Sequence, residues 1–144
     1  MRGAYCILMS LEEKARIRIG ALGTFDFGPG VYAYVGSALS GIEGRVGRHR
    51  RRAKKPRWHI DYLLAKANVM SVISIPTDRK SIECAVARSL ISCEGVTVPV
   101  PGFGSSDCSC VAHLVYLGDS EVEWAIEELA MRISMMPDVY SEGA

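Results

Sequence analysis

A chain of 144 residues, 49% hydrophobic and 23% charged, suits one domain with its own core and carries too much apolar surface to stay disordered. No apolar run approaches the ~18 residues that span a bilayer. The N-terminus MRGAYCILMSLEE has no small-residue cleavage site, so the expectation is a cytoplasmic protein, with reduced thiols at Cys6, Cys84, Cys93, Cys108 and Cys110. The net charge of +1 conceals an uneven distribution: Arg45 to Arg57 holds eight Lys or Arg and no acid, leaving nine cations to face all 16 acids elsewhere.

AYCILM (4–9) is a near-continuous apolar run of strand length. ARIRI (15–19) alternates apolar and cationic residues, as a half-buried strand does. GALGTFDFGPG (20–30) supplies glycine and proline turn chemistry, and VYAYV (31–35) is a strand of β-branched and aromatic residues. These three strands are expected to form an antiparallel meander. A helix is predicted from about Ser40 to Arg52 despite Gly44 and Gly47, and a shorter one over HIDYLLAKA. VMSVISI (69–75) reads as a buried strand. Thr77 is placed to cap a helix with Ile82, Val86, Leu90 and Cys93 on one stripe. VTVPVPGFGSSDCSC reads as an irregular loop and VAHLVYL (111–117) as a strand. Ser120 with Glu123 forms a capping box for a last helix burying Val122, Ile126, Leu129 and Ile133. The fold class is α+β: a small, mainly antiparallel sheet with helices against it, residues 1–144 forming one domain.

Within VYAYVG the period of two sends Tyr32 and Tyr34 to one side of the sheet, and Tyr5 in GAY can stand beside them. Arg45 follows Tyr34 by eleven residues, and His49 lies one helical turn further on the same face. Phosphodiester cleavage needs a group to activate water, a cation near the phosphate and usually a metal. Tyr, His and Arg supply the first two, and a helical Glu can hold the third. The plainer alternatives are sheet packing for the tyrosines and solvated helix faces for Arg45, His49 and Glu83. The cations Arg48, Arg50, Arg51, Arg52, Lys54, Lys55 and Arg57, with His59, suggest a nucleic-acid surface, because together with Arg45 they make eight Lys or Arg without an acid, which repel one another unless a polyanion offsets them. Trp58, Asp61 and Tyr62 either extend that surface or pack on the core. Cys108-x-Cys110-x-x-His113 invites a zinc reading, but its spacing departs from the usual C-x₂₋₄-C. Only Cys93 or His59 is in view as a further ligand, so the spacing argues against zinc. Ser106-Asp107 reads as an N–H-binding turn or a small polar part of a cleft.

Gly3-Ala4-Tyr5 and Tyr34-Val35-Gly36, with Arg45 and His49 on the next helix and Glu83 on a later one, resemble the motifs of the GIY-YIG nucleases. The blocks YVGSA, RVGRH, WHIDYLL and GSSDCSC cover most of the chain. They are similar to an archaeal and bacterial branch, domain of unknown function 123, whose members occur alone or joined to endonuclease III-like DNA glycosylases. The resemblance implies a GIY-YIG-like fold and a metal-dependent endonuclease hydrolysing phosphodiester bonds in DNA repair. In that reading Tyr5, Tyr34, Arg45 and His49 are catalytic, and Glu83 holds one weakly bound Mg²⁺ or Mn²⁺. Tyr32, Ser37, Ser106 and Asp107 are candidates for the cleft. The implied partners are nucleic acid, DNA ahead of RNA, and a DNA-repair protein.

The chain departs from the family pattern twice. Residues 10–30 insert an extra strand and a glycine-rich loop between the two tyrosine strands. Gly30-Val31-Tyr32 is a rival first motif, but Ala33 alone separates it from Tyr34, too little for a hairpin. The asparagine expected after the glutamate helix is also missing, since the only asparagine is Asn68, which leaves Ser106 or Asp107 to substitute. That loss keeps a second reading open, a non-catalytic nucleic-acid-binding module of the same fold. A third is a zinc-stabilised partner of a repair protein.

Overall fold

AYCILM is apolar throughout because the strand that holds it is covered on both faces. The computed structural model describes residues 1–38, 40–51, 54–118, 131 and 133–135. Strand β1 (Gly3–Leu11) lies between β4 (Gly30–Ala38) and β5 (Asn68–Pro76), antiparallel to both, and β6 (Leu114–Tyr116) pairs antiparallel with the far edge of β4. The four-stranded order is therefore β5-β1-β4-β6. Tyr5, Ile7, Met9 and Leu11 point to one face, where they pack with Tyr32, Tyr34, Ile42 of α1 (Ile42–Arg50) and Ile60, Leu63 and Leu64 of α2 (His59–Leu64). Ala4, Cys6 and Leu8 point to the other, against Ile82, Val86 and Leu90 of α3 (Ser81–Ile91) and against Ile133. An antiparallel sheet flanked by helices is the expected α+β class.

The meander is not what forms. ARIR becomes β2 (Ala15–Arg18), but its partner is β3 (Thr24–Phe27), which arises inside the stretch read as a loop. The two make a separate two-stranded sheet whose Ile17 and Phe27 plug the first core. β1 is left free to pair directly with β4, from Gly3 opposite Ala38 to Leu11 opposite Gly30. β5 lies at the sheet's edge with only Ile75 buried and Met70 exposed, so its apolar run does not mark a buried strand. Thr77 does not cap α3. Its Oγ1 accepts the Arg79 N–H at 3.0 Å in the turn before the helix, and Lys80 occupies the N-cap. Ser120, Glu123, Val122, Ile126, Leu129 and Arg52 lie outside the described residues, while Ile133 is buried. No helix among the described residues is long and apolar enough to cross a membrane.

The register that matters for the site pairs Tyr5 with Gly36. A Cβ on Gly36 would lie 2.5 Å from the Tyr5 hydroxyl, so the missing side chain is what lets the phenol lie across β4.

Candidate functional site

β6 pairs with β4 only from Tyr32 to Tyr34. Beyond that point the end of β4 borders a cavity of about 210 Å³. The sheet contributes Tyr5 and Tyr34, the end of β4 Ser37, α1 Arg45, the entry to α2 Trp58, and the start of α3 Lys80, Glu83 and Cys84. The loop before β6 closes it with Gly104, Asp107, Cys108 and His113.

One wall carries a hydrogen-bonded phenol–imidazole pair. The Tyr5 hydroxyl and His49 Nε2 are 2.8 Å apart. His49 is 2% exposed, and its Nδ1 is buried without a hydrogen-bond partner among the described residues. Burial, opposed by Asp61 and reinforced by the charges of Lys54, Arg45 and Arg48, lowers the imidazole to about 4. It is therefore neutral at ordinary pH, with a nitrogen able to accept a proton. Burial also drives the Tyr5 phenol well above its usual value, against the pull of Arg45. Tyr34, edge-on to the His49 ring at 6.2 Å, is raised by burial and then by Tyr5 and Glu83. Neither phenol rests as a phenolate.

The other wall joins a cation to a carboxylate through one serine. Arg45 Nη1 donates to the Ser37 carbonyl at 3.0 Å, and the Ser37 hydroxyl donates to Glu83 Oε1 at 2.8 Å. Glu83 Oε2 lies 3.1 Å from His113 Nδ1. Burial alone would raise the Glu83 carboxyl, but hydrogen bonds from His113 and Ser37 outweigh it and hold the group ionised. Arg45, Arg48 and Arg57 all sit over the Trp58 ring, at 4.5, 4.3 and 5.0 Å from its centroid. Indole–guanidinium stacking keeps like charges together beside the cavity.

The basic run divides by role. Arg48 is committed to Asp61: Nη1 reaches Oδ1 at 2.8 Å and Oδ2 at 3.0 Å, with side chains 19% and 0% exposed. Asp61 Oδ2 also accepts the Arg57 and Trp58 backbone N–H groups, tying the start of α2 to the end of α1. Lys54 Nζ donates to the His49 carbonyl at 3.2 Å. Arg50, Arg51, Lys55 and Arg57 are exposed. His59 is half-buried, and its Nδ1 accepts the Gly104 N–H at 2.9 Å, which ties the loop over the cavity to α2. Tyr32 is directed away from the cleft, donating to the Gly28 carbonyl at 2.6 Å. Of the Ser106–Asp107 pair, Asp107 lines the cavity.

The zinc expectation needs correcting. The loop doubles back on itself, Gly102 N–H to the Val111 carbonyl and His113 N–H to the Phe103 carbonyl, and so brings Cys108, Cys110 and His113 to one spot. The fourth member is neither Cys93, whose Sγ donates to Ser89, nor His59, but Cys84 on α3. The donor atoms of Cys84, Cys108, Cys110 and His113 lie within 4.8 Å of one another, a cluster that can hold a metal ion. Its sulfur-rich donor set suits zinc and not Mg²⁺ or Mn²⁺. Burial and then its neighbours Cys110 and Cys108 push the Cys84 thiol up to about 12. Three sulfurs this close need a countercharge to ionise together. Burial opposes charge on His113, but its contacts with Glu83 and Cys110 lift it to about 9.

Tyr5, Tyr34, Arg45 and Glu83 thus share one cavity, with His49 behind Tyr5. Lys80 and Cys84 escaped the sequence reading. Cys84 directly follows Glu83, but its partners lie more than twenty residues away, beyond the reach of any local spacing rule. Among curated proteins and among solved structures, none matches the chain. The family described as domain of unknown function DUF123 matches residues 4–135, and the chain belongs to it.

Proposed function

We propose that this chain is a metal-dependent nuclease of the GIY-YIG type that hydrolyses phosphodiester bonds in nucleic acid, DNA ahead of RNA. The observation that carries the reading is the meeting of Tyr5, Tyr34, Arg45 and Glu83 around one cavity, with His49 hydrogen-bonded to Tyr5. In this mechanism a water held at Tyr5 attacks the phosphorus. Because the Tyr5 phenol does not ionise at rest, its oxygen takes the water's proton as its own proton passes to His49 Nε2. Tyr34 walls the phenol and Arg45 faces the charge that builds on the phosphate. Lys80, which also lines the cavity, adds a second cation. Glu83 is an ionised carboxylate facing the cavity, which fits a Mg²⁺ or Mn²⁺ that keeps several waters in its shell. When bound, that ion supplies Lewis-acid polarisation of a phosphoryl oxygen.

Labelled branched, nicked and single-stranded DNA and RNA, incubated with the purified chain and Mg²⁺ or Mn²⁺, test the reading. Cleavage is expected, and Tyr5→Phe should reduce it by about 10²–10⁴-fold with the fold intact. No cleavage of any substrate at high enzyme concentration overturns it.

One observation favours the binding-module alternative. Asn68, the chain's one asparagine, lines a separate cavity with His49 and Arg50 and not the cleft. Arg45→Ala separates the two readings. In a nuclease it costs about 10²-fold or more in rate, against a small loss of affinity; in a binding module affinity alone declines.

A further inference from the structure

We propose that Cys84, Cys108, Cys110 and His113 bind one Zn²⁺ in a closed tetrahedral Cys₃His site, with Glu83 as the outer carboxylate that orients the His113 ring. His113 Nε2 lies 3.8 Å from Cys84 Sγ and 3.4 Å from Cys108 Sγ. A tetrahedron with Zn–S of about 2.3 Å and Zn–N of about 2.0 Å has S···N edges of about 3.5 Å and S···S edges of about 3.8 Å. The two Nε2···Sγ distances stand close to that S···N edge, and all four donors lie within 4.8 Å of one another.

The ring orientation is a second, independent sign. Nδ1 faces the Glu83 carboxylate, so the tautomer with its proton on Nδ1 leaves the Nε2 lone pair toward the sulfurs. Metal-ligating histidines are held in this way by an outer carboxylate. Four protein ligands leave no open position, so the ion is structural. It pins the loop of residues 101–113 to α3. That loop contains no helix or strand, yet it carries Gly104 and Asp107 into the cavity. Cys108 is exposed, which gives the ion a route in.

The site goes beyond the nuclease reading and can fail separately from it. A chain that holds zinc and cuts nothing keeps the site and loses the nuclease; one that cuts with Mg²⁺ and holds no zinc does the reverse. Elemental analysis of the full chain, purified without chelator, is expected to find about one zinc per chain. Replacement by Co²⁺ should give thiolate-to-cobalt charge transfer and the intense d–d bands of tetrahedral coordination. Cys84→Ser and Cys110→Ser should each abolish that spectrum, and Cys93→Ser should keep it. Glu83→Gln leaves all four ligands in place, so it should retain the bands but weaken zinc by about 10–100-fold in competition with a chelator. Zinc far below stoichiometry with no cobalt bands overturns the site, as do bands that survive Cys84→Ser. Unchanged zinc affinity in Glu83→Gln overturns the role of Glu83.

Discussion

At Gly36 the backbone of β4 passes beneath the Tyr5 ring, and the phenol fills the volume a side chain would take. Gly36→Ala must push that ring aside, so unfolding in urea should show a loss of about 1–3 kcal/mol, and the Tyr5–His49 hydrogen bond should be lost. Behind Tyr5, His49 makes stability depend on pH. Tyr5, Tyr34, Asp61, Lys54, Arg45 and Arg48 surround it, and its value falls from 6.5 to about 4 with burial as the largest cause. Between those values the unfolded chain binds the proton and the folded one does not. Stability should therefore decline as pH drops from about 6.5 toward about 4, and this group adds no further loss below that. Thermal melts of the wild type against His49→Gln check this: the variant should lack that part of the slope. The shared face of Arg45 and His49 was legible in the sequence because the helix period fixes it, whereas Tyr5 joined them only through the resemblance to the GIY-YIG motifs. Cys84 was not legible, because it becomes a ligand only when α3 meets a distant loop.

The junction of α1 and α2 rests on one buried carboxylate. Asp61 neutralises Arg48 and accepts two backbone N–H groups at the start of α2. Asp61→Ala leaves a largely buried guanidinium and both N–H groups unsatisfied, and should cost about 3–5 kcal/mol in chemical denaturation. Helices and strands near regular periodicity were readable at this scale: α1, α2, α3 and β1 lie where the pattern puts them, give or take their ends. The β2–β3 pair was not, because TFDF is only four residues between glycine-rich turns and takes its strand form from packing Phe27 into the core. β5 misleads in the opposite sense, since a run of Val and Ile records β-propensity without saying how many faces are covered.

For the molecule as a whole, charge is arranged so that structural and solvent-facing cations alternate along one short stretch. Arg48 serves the fold, whereas Arg50, Arg51, Lys55 and Arg57 face solvent. Duplex binding should therefore weaken with salt, and Arg50→Ala should flatten the log–log slope by ~0.9 at unchanged melting temperature if Arg50 meets one phosphate. Fluorescence anisotropy across a salt series measures it. Which cations belong to which class could not be read from RHRRRAKKPR, because letters of one type do not say which has found a carboxylate. Trp58, flanked by three guanidinium groups, turns this arrangement into an optical readout. The chain has one other tryptophan, Trp124. In a Trp124→Phe background all indole emission comes from Trp58, and its colour and intensity should change as an oligonucleotide draws Arg45 and Arg57 off the ring, reporting occupancy of the cleft without a dye.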